Sequence, residues 1–483
     1  MAISTLKYRL DTTKFLHPTD ELATVDWNPP HYMGLTEMYR TTGDKRYLEL
    51  AEAFINIRGT GKDRPKGGQN TDQSLKRVPI RELTEASGHA GFANYLYAGV
   101  TDVYTEDGDK TLLTAMERAW TSLVTKQMYL TGGTGPHHFA ISVNRERVSE
   151  SYGKAYELPN IGAYNETCAN IGNAMWSYRM LLITGEAKYA DVMEKVFYNS
   201  AISCIALDGK HFFYTNPLRH ICGHSLSTKD NGERSPWLSV FCCPPNIIRT
   251  IASMNGYAYN MSDKGVWVNL YGGNELNTKL QDGSSLKLTQ QTNYPWEGLV
   301  KMTVDIPKKK EFSVMLRIPE WASKATLKVN GKMVTGILTP SSYFELKRTW
   351  SKGDVIELDL PMLPQLIEAN PMVEASRNQV AVQRGPIVYC MESVDLPKDV
   401  NISEVQIPRN IQLRPRFDKN LLSGVTVLEG EAECEKGAAW SNQLYRPLSA
   451  ETRRKLPIKL IPYYAWSNRG VSDMSVWLPE LEK

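Results

Sequence analysis

The chain has 483 residues, with 56 Lys and Arg against 53 Asp and Glu, 42% hydrophobic residues and a formal net charge of +3. That length suits two to four domains, and the composition is that of an ordinary globular protein. A charge so near zero gives no field to gather nucleic acid or an anionic membrane, so neither is expected as a partner. No stretch approaches the roughly 20 consecutive apolar residues of a membrane-spanning helix. The opening Met1 to Lys7 has no apolar core of signal-peptide length, and charges recur through Lys14. A cytoplasmic location is therefore expected for the chain as read, unless a longer N-terminus carried a leader.

Two counts carry more information. There are 24 Tyr and 11 Trp against 11 Phe. Rings that join a flat apolar face to a polar handle suit surfaces that grip sugars, and equally suit half-buried helix and strand interfaces. Seven cysteines, an odd number, are spread over a long chain. That argues for reduced thiols rather than a disulfide framework.

In chain order, the first 260 or so residues read mainly as helix. Leu35 to Phe54, Val103 to Trp120 and Arg179 to Phe197 share one pattern. In each, an amphipathic helix ends at a glycine (Gly43, Gly108, Gly185), an acidic residue follows, and a second amphipathic helix begins. Glycine suits a helix C-terminus and an acid the next N-terminus. Apolar residues such as Leu48, Ala51 and Phe54 recur at helical spacing. Helical hairpins repeating at 65 and 77 residues predict an α/α toroid closing around a central pocket, or a solenoid.

From about Lys264 the period changes to two. Gly265 to Tyr271, Ser285 to Thr292, Leu299 to Ile306, Phe312 to Ile318 and Val355 to Leu360 read as strands, with Asn330-Gly331 as a tight hairpin turn. A second strand-rich block holds Gln379 to Gln383, Gly385 to Cys390, Val425 to Leu428, Ile458 to Tyr464 and Met474 to Leu478. The expected fold class is multidomain, α then β: a helical toroid over 1–262 followed by two β-sandwich modules over 263–365 and 366–483.

Polar chemistry concentrates in three places. They are Ala163-Tyr164-Asn165-Glu166-Thr167-Cys168 at a helix start, Phe241-Cys242-Cys243-Pro244-Pro245-Asn246, and the loop Thr131 to His138 running on towards Glu150. Glu166, Cys168, Cys242 and Cys243 would make a four-coordinate zinc site. The spacing is not that of a paired Cys-x-x-Cys ribbon, and free cysteines are often small buried hydrophobes, so both readings stand. Glu150 and Glu157 are candidate proton donors or solvated loop carboxylates. His89, at a helix start, reads as a pocket residue or a cap.

At these residues the sequence resembles glycoside hydrolase family 127, the β-L-arabinofuranosidase family. The resemblance rests on Gly88-His89-Ala90, Met128 to Gly133, Tyr156 to Asn160, Ala163 to Cys168, Phe213 to Leu218, Cys242 to Asn246 and Ile461 to Gly470. It implies a retaining exo-glycosidase that releases a β-L-arabinofuranose-like sugar from a plant glycan or glycoconjugate, with Zn2+ as cofactor. It further implies Glu166, Cys168, Cys242 and Cys243 as zinc ligands, Cys242 as nucleophile, Glu150 as general acid/base, and His89 and Tyr214 as sugar contacts. His138 joins the sugar contacts through its nearness to Glu150. The implied fold is an (α/α)6 barrel with β-sandwich modules, and sandwiches of this type commonly pair copies into a homodimer.

Two departures from the family pattern set further expectations. The resemblance implies a helical segment before the counterpart of Asn28 to Tyr32 that this sequence is expected to lack, so the barrel is expected to be short of part of its wall. A truncated, non-catalytic sugar-binding zinc protein is the alternative this raises. The stretch 137–149 is a basic loop longer than the usual link. It suggests Arg145 or Arg147 as partner for the carboxylate of an acidic pectin sugar, or simply a solvated loop.

Overall fold

The computed structural model describes Pro29 and residues 31–60, 71–223, 230, 232–436, 444–445, 447 and 452–481. Residues 1–28, on which the expectation about a leader rests, lie outside the described residues.

The three helical hairpins form where the sequence places them. α1 (His31–Thr42) and α2 (Lys45–Ile57) flank Gly43, α3 (Ala90–Asp107) and α4 (Lys110–Lys126) flank Gly108, and α5 (Thr167–Thr184) and α6 (Ala187–Val196) flank Gly185. Gly108 and Gly185 both close their helices in the left-handed region, at φ 71° and 68°. Any residue with a Cβ would be strained there. Asp44 and Asp109 then cap the next helices by accepting the N–H groups of Arg46 and Thr111. Glu186 stands at the third such position without a capping bond. α7 (Cys243–Ala252) and the single turn α8 (Asn255–Ala258) complete the described helices. Most of this region packs as one apolar cluster, including Tyr32, Phe54, Leu96, Met116, Trp176 and Met193.

Between α4 and α5 the chain forms a β-hairpin, β1 (His137–Ile141) and β2 (Arg147–Ser151). This corrects the expectation of a basic loop over 137–149. The hairpin tip is held down by an acidic residue from outside it: Ser142 and Asn144 donate to Asp72, while Arg77 pairs with both Asp72 and Glu146.

The rest of the chain is β-rich, as expected. A six-stranded sheet runs in the order 332–333, 326–329, 355–359, 299–305, 285–292, 274–279, and a four-stranded sheet in the order 342–350, 310–318, 265–268, 259–262. Both sheets contribute to one core, with Val266 and Trp350 from the smaller sheet and Val300 and Ile356 from the larger. Asn330 and Gly331 form the tight turn at φ 51° and 75°. A third, larger sheet occupies 364–481 and recruits Arg219–His220 from the helical region against Met474–Ser475. A buried ion triad also joins the regions: Arg317, fully enclosed, meets Asp191 at 2.6 Å and Glu194 at 2.5 Å on α6. Among the described residues no helix is long and apolar enough to cross a membrane.

Candidate active site and metal centre

Three helix N-termini converge on one point. His89 precedes α3, Glu166 precedes α5, and Cys242 precedes α7. Each N-terminus carries the positive end of a helix dipole, which favours a carboxylate or thiolate nearby. Pro244 and Pro245 fit the first turn of α7, where no backbone N–H is needed. β2 supplies Glu150 from a backbone at φ 49°, a conformation that a residue with a side chain seldom adopts. The segment 212–217, anchored by bridges at Phe212, supplies Tyr214.

Glu166, Cys168, Cys242 and Cys243 bring one donor atom each to within 4.8 Å of one another. The Cys168 and Cys243 sulfurs are 3.6 Å apart and those of Cys242 and Cys243 3.9 Å. Oε1 of Glu166 lies 3.5 Å from Cys242 and 3.9 Å from Cys243. Sulfurs bound tetrahedrally at ~2.3 Å lie ~3.8 Å from each other, so these separations are the edges of a zinc-sized tetrahedron. The other oxygen of Glu166, Oε2, is buried without a hydrogen-bond partner. Burial pushes the Glu166 carboxyl and the Cys243 thiol well above their ordinary pKa values, and the Cys242 sulfur does the same to Cys168. Thiols of Cys168 and Cys243 donate to Cys242 and pull it far below the usual thiol range. A divalent cation among the four would let all of them ionise, so the donor set fits zinc. Cys242 is exposed, whereas Cys168 and Cys243 are buried.

Glu150 stands across from this cluster. It accepts from Oη of Tyr164 at 3.0 Å and from Oη of Tyr214 at 3.2 Å, and Nε2 of His89 lies 3.2 Å away. The Tyr214 hydroxyl is the hub: it also lies 3.2 Å from Oε1 of Glu166 and 3.6 Å from the Cys242 sulfur. His89 serves both readings of it, since Nδ1 accepts the Phe92 N–H at 3.4 Å while Nε2 faces Glu150. The hairpin register sets His138 opposite Glu150, and its ring stacks on Tyr164 at 4.8 Å.

Other candidates are placed elsewhere. Glu157 is exposed, pairs with His137 at 3.3 Å and is outside the cluster. Arg147 lies over the exposed Phe139 ring at 3.8 Å, and Arg145 sits in the hairpin turn. Cys204, Cys390 and Cys434 are buried packing residues, whereas Cys222 is exposed, because it follows the short strand Arg219–His220 into a surface turn. Tyr164, inside the Ala163 to Cys168 motif, also joins the site through its bond to Glu150, and no pattern in the sequence singles out its side chain.

Comparison with known proteins decides the family. The family model for the GH127 β-L-arabinofuranosidase catalytic domain matches residues 2–256, its middle-domain model matches 265–362, and the family 127 C-terminal domain model matches 364–479. The chain belongs to glycoside hydrolase family 127. A non-reducing end β-L-arabinofuranosidase from Bifidobacterium longum subsp. longum is 34% identical over 480 residues, covering 94% of this chain and 70% of that protein. Among solved structures, a glycoside hydrolase superposes with a TM-score of 0.89 at 45% identity, over 94% of this chain and 75% of its own. A GH127 β-L-arabinofuranosidase from Geobacillus stearothermophilus T6 gives 0.86 at 38% identity, over 93% and 72%. The family 127 chain thus shares with these relatives a helical N-terminal region followed by β-rich domains.

Proposed function

We propose that the protein is a retaining exo-glycosidase that releases β-L-arabinofuranose or a close pentofuranose from a glycan. Cys242 is its nucleophile and Glu150 its general acid/base. The observation that carries the reading is the shared Tyr214 hydroxyl: it lies 3.6 Å from the one exposed sulfur of the cluster and 3.2 Å from the Glu150 carboxylate, so both groups meet at a single point. A nucleophile and a proton donor facing each other across a short gap are what two-step retention requires.

In the first step the Cys242 sulfur attacks the anomeric carbon, the bond to the leaving oxygen breaks, and the Glu150 proton passes to that oxygen. In the second, Glu150 takes a proton from water, the water oxygen attacks the same carbon, and the C–S bond breaks to restore the thiolate. His89, Tyr214 and His138 line the sugar, with Tyr164 and His89 holding the Glu150 carboxylate in place. Glu166, Cys168, Cys242 and Cys243 would hold Zn2+, which keeps thiols ionised at neutral pH. The helical hairpins are read as an (α/α)6 barrel. The β-rich regions are read as two sandwich modules, with units at 1–262, 263–365 and 366–483 and Tyr259–Ser262 lent by the first unit to the second.

The test compares parent and Cys242→Ser on an aryl β-L-arabinofuranoside, with zinc measured in both. Turnover with retained configuration in the parent, lost in Cys242→Ser, supports the reading. An inverted product, or equal turnover in both, would refute it.

A further inference from the structure

Tyr214 touches every reactive group of the site, so what fixes Tyr214 fixes the site. Its backbone carbonyl accepts the N–H of Thr167, at 3.0 Å, from the first turn of α5 beside Cys168. Its backbone N–H has a different partner, the carboxylate of Asp230. Both oxygens of Asp230 lie 3.1 Å from the Tyr214 nitrogen, and Oδ2 also accepts the Thr215 N–H at 2.6 Å and the Thr215 hydroxyl. One ionised side chain therefore takes three donors from two consecutive residues that are each 2% exposed. Charge-assisted bonds of this kind are short and directional.

We infer that Asp230 is a positioning residue: by clamping the Tyr214–Thr215 backbone it holds the Tyr214 hydroxyl between Glu150 and Cys242. This rests on the reading of Cys242 and Glu150 given above. Without the clamp, the backbone at 214 loses the anchor on its amide side while its carbonyl still accepts from Thr167, and the ring gains freedom to shift. A displacement of about 1 Å in a positioning contact is enough to cost roughly a hundredfold in rate. Asp230 also borders a cavity of about 30 Å³ shared with Tyr164, Thr215 and His220. That is room for about one water, so an Asp230→Ala variant can solvate the freed amides and remain folded.

The experiment is a double-mutant cycle of Asp230→Ala and Tyr214→Phe, read as kcat and KM on an aryl β-L-arabinofuranoside. Asp230→Ala is expected to lower kcat by about tenfold to a hundredfold with KM within about twofold. On the Tyr214→Phe background the same substitution is expected to change kcat by less than about twofold, because the hydroxyl it positions is gone. Losses that multiply would overturn the inference. Asp230→Asn keeps one acceptor oxygen and should fall between parent and Asp230→Ala, and it carries the test if the alanine variant does not fold.

A second readout is independent of turnover. The ¹³C ring signal of Tyr214, assigned through Tyr214→Phe, should be single in the parent and broadened or doubled in the Asp230 variants. Amide exchange at Tyr214 and Thr215 should accelerate. Unchanged spectra and exchange would refute the clamp even if the glycosidase reading holds. A parent without arabinofuranosidase turnover would refute that reading while the spectra still decide the clamp.

Discussion

Replacing Glu150 by Gln removes an exchangeable proton and little else. The amide is nearly isosteric, and its oxygen can still accept from Tyr164, now 3.0 Å away, or from Tyr214 at 3.2 Å. The loss is therefore chemical rather than structural. A general acid that protonates the leaving oxygen is worth roughly 10²–10⁴ in rate, or about 3–5 kcal/mol. That help matters only where the leaving oxygen needs a proton. For an arabinofuranosyl disaccharide, whose leaving alcohol is a poor one, kcat/KM should fall by the full factor. For a nitrophenyl arabinofuranoside, which departs without protonation, kcat/KM should fall by less than about tenfold. Its kcat should nonetheless drop, because Gln cannot activate water in the second step. Azide, which needs no base, should restore kcat and give a glycosyl azide of retained configuration. Parallel kcat/KM series for parent and variant on the two substrates make the assay. Equal losses on both, or an azide product of inverted configuration, would refute the assignment of Glu150.

Three further outcomes follow from the geometry. Arg317→Met leaves Asp191 and Glu194 buried on α6 without their cationic partner, so unfolding should become easier by about 3–5 kcal/mol in denaturant titrations; a change under about 1 kcal/mol would refute the buried triad. Gly91→Ala, which would ordinarily stabilise a helix by about 1 kcal/mol, places a Cβ 3.0 Å from Oε2 of Glu166 and should weaken zinc retention during dialysis against a mild chelator; unchanged zinc content would contradict that. Cys222 is exposed, but partial desolvation of its sulfur, together with the neighbouring Asp473 carboxylate, raises its pKa above the ordinary thiol value. Its thiolate fraction is therefore smaller than that of free cysteine at pH 8 and grows as pH rises. Alkylation mapped by mass spectrometry should be slower than for a model thiol at pH 8 and converge on it at higher pH.

The helical hairpins were legible because three chemical signals coincide at each: an amphipathic stripe, a glycine that can turn left-handed, and an acid to start the next helix. The strands of the middle region were legible where one face is buried, as in Ser285–Thr292 with Leu286 and Leu288 inward. Strands such as Arg414–Asp418, exposed along most of their length, carry no such alternation. The hairpin at 137–151 escaped because its turn uses Asn144-Arg145 in place of Asn-Gly and its anchor, Asp72, lies far away in sequence. Spacing left the metal cluster open between a zinc site and small buried thiols, because its donors come from two helix N-termini separated by more than seventy residues, and the resemblance tipped that balance. Asp230 is invisible in the sequence for a related reason: a carboxylate that accepts backbone N–H groups leaves no pattern in the residues it serves.

The central claim is that sulfur, and specifically Cys242, bonds to the sugar. Glu150→Gln offers the direct measurement, since with a nitrophenyl arabinofuranoside its first step is fast and its second slow. Acid-quenched intact mass spectrometry during turnover, followed by peptide mapping, should find one pentosyl unit attached to Cys242. An adduct on Glu166 or Glu157, or an unmodified chain during a clear kinetic burst, would contradict the account.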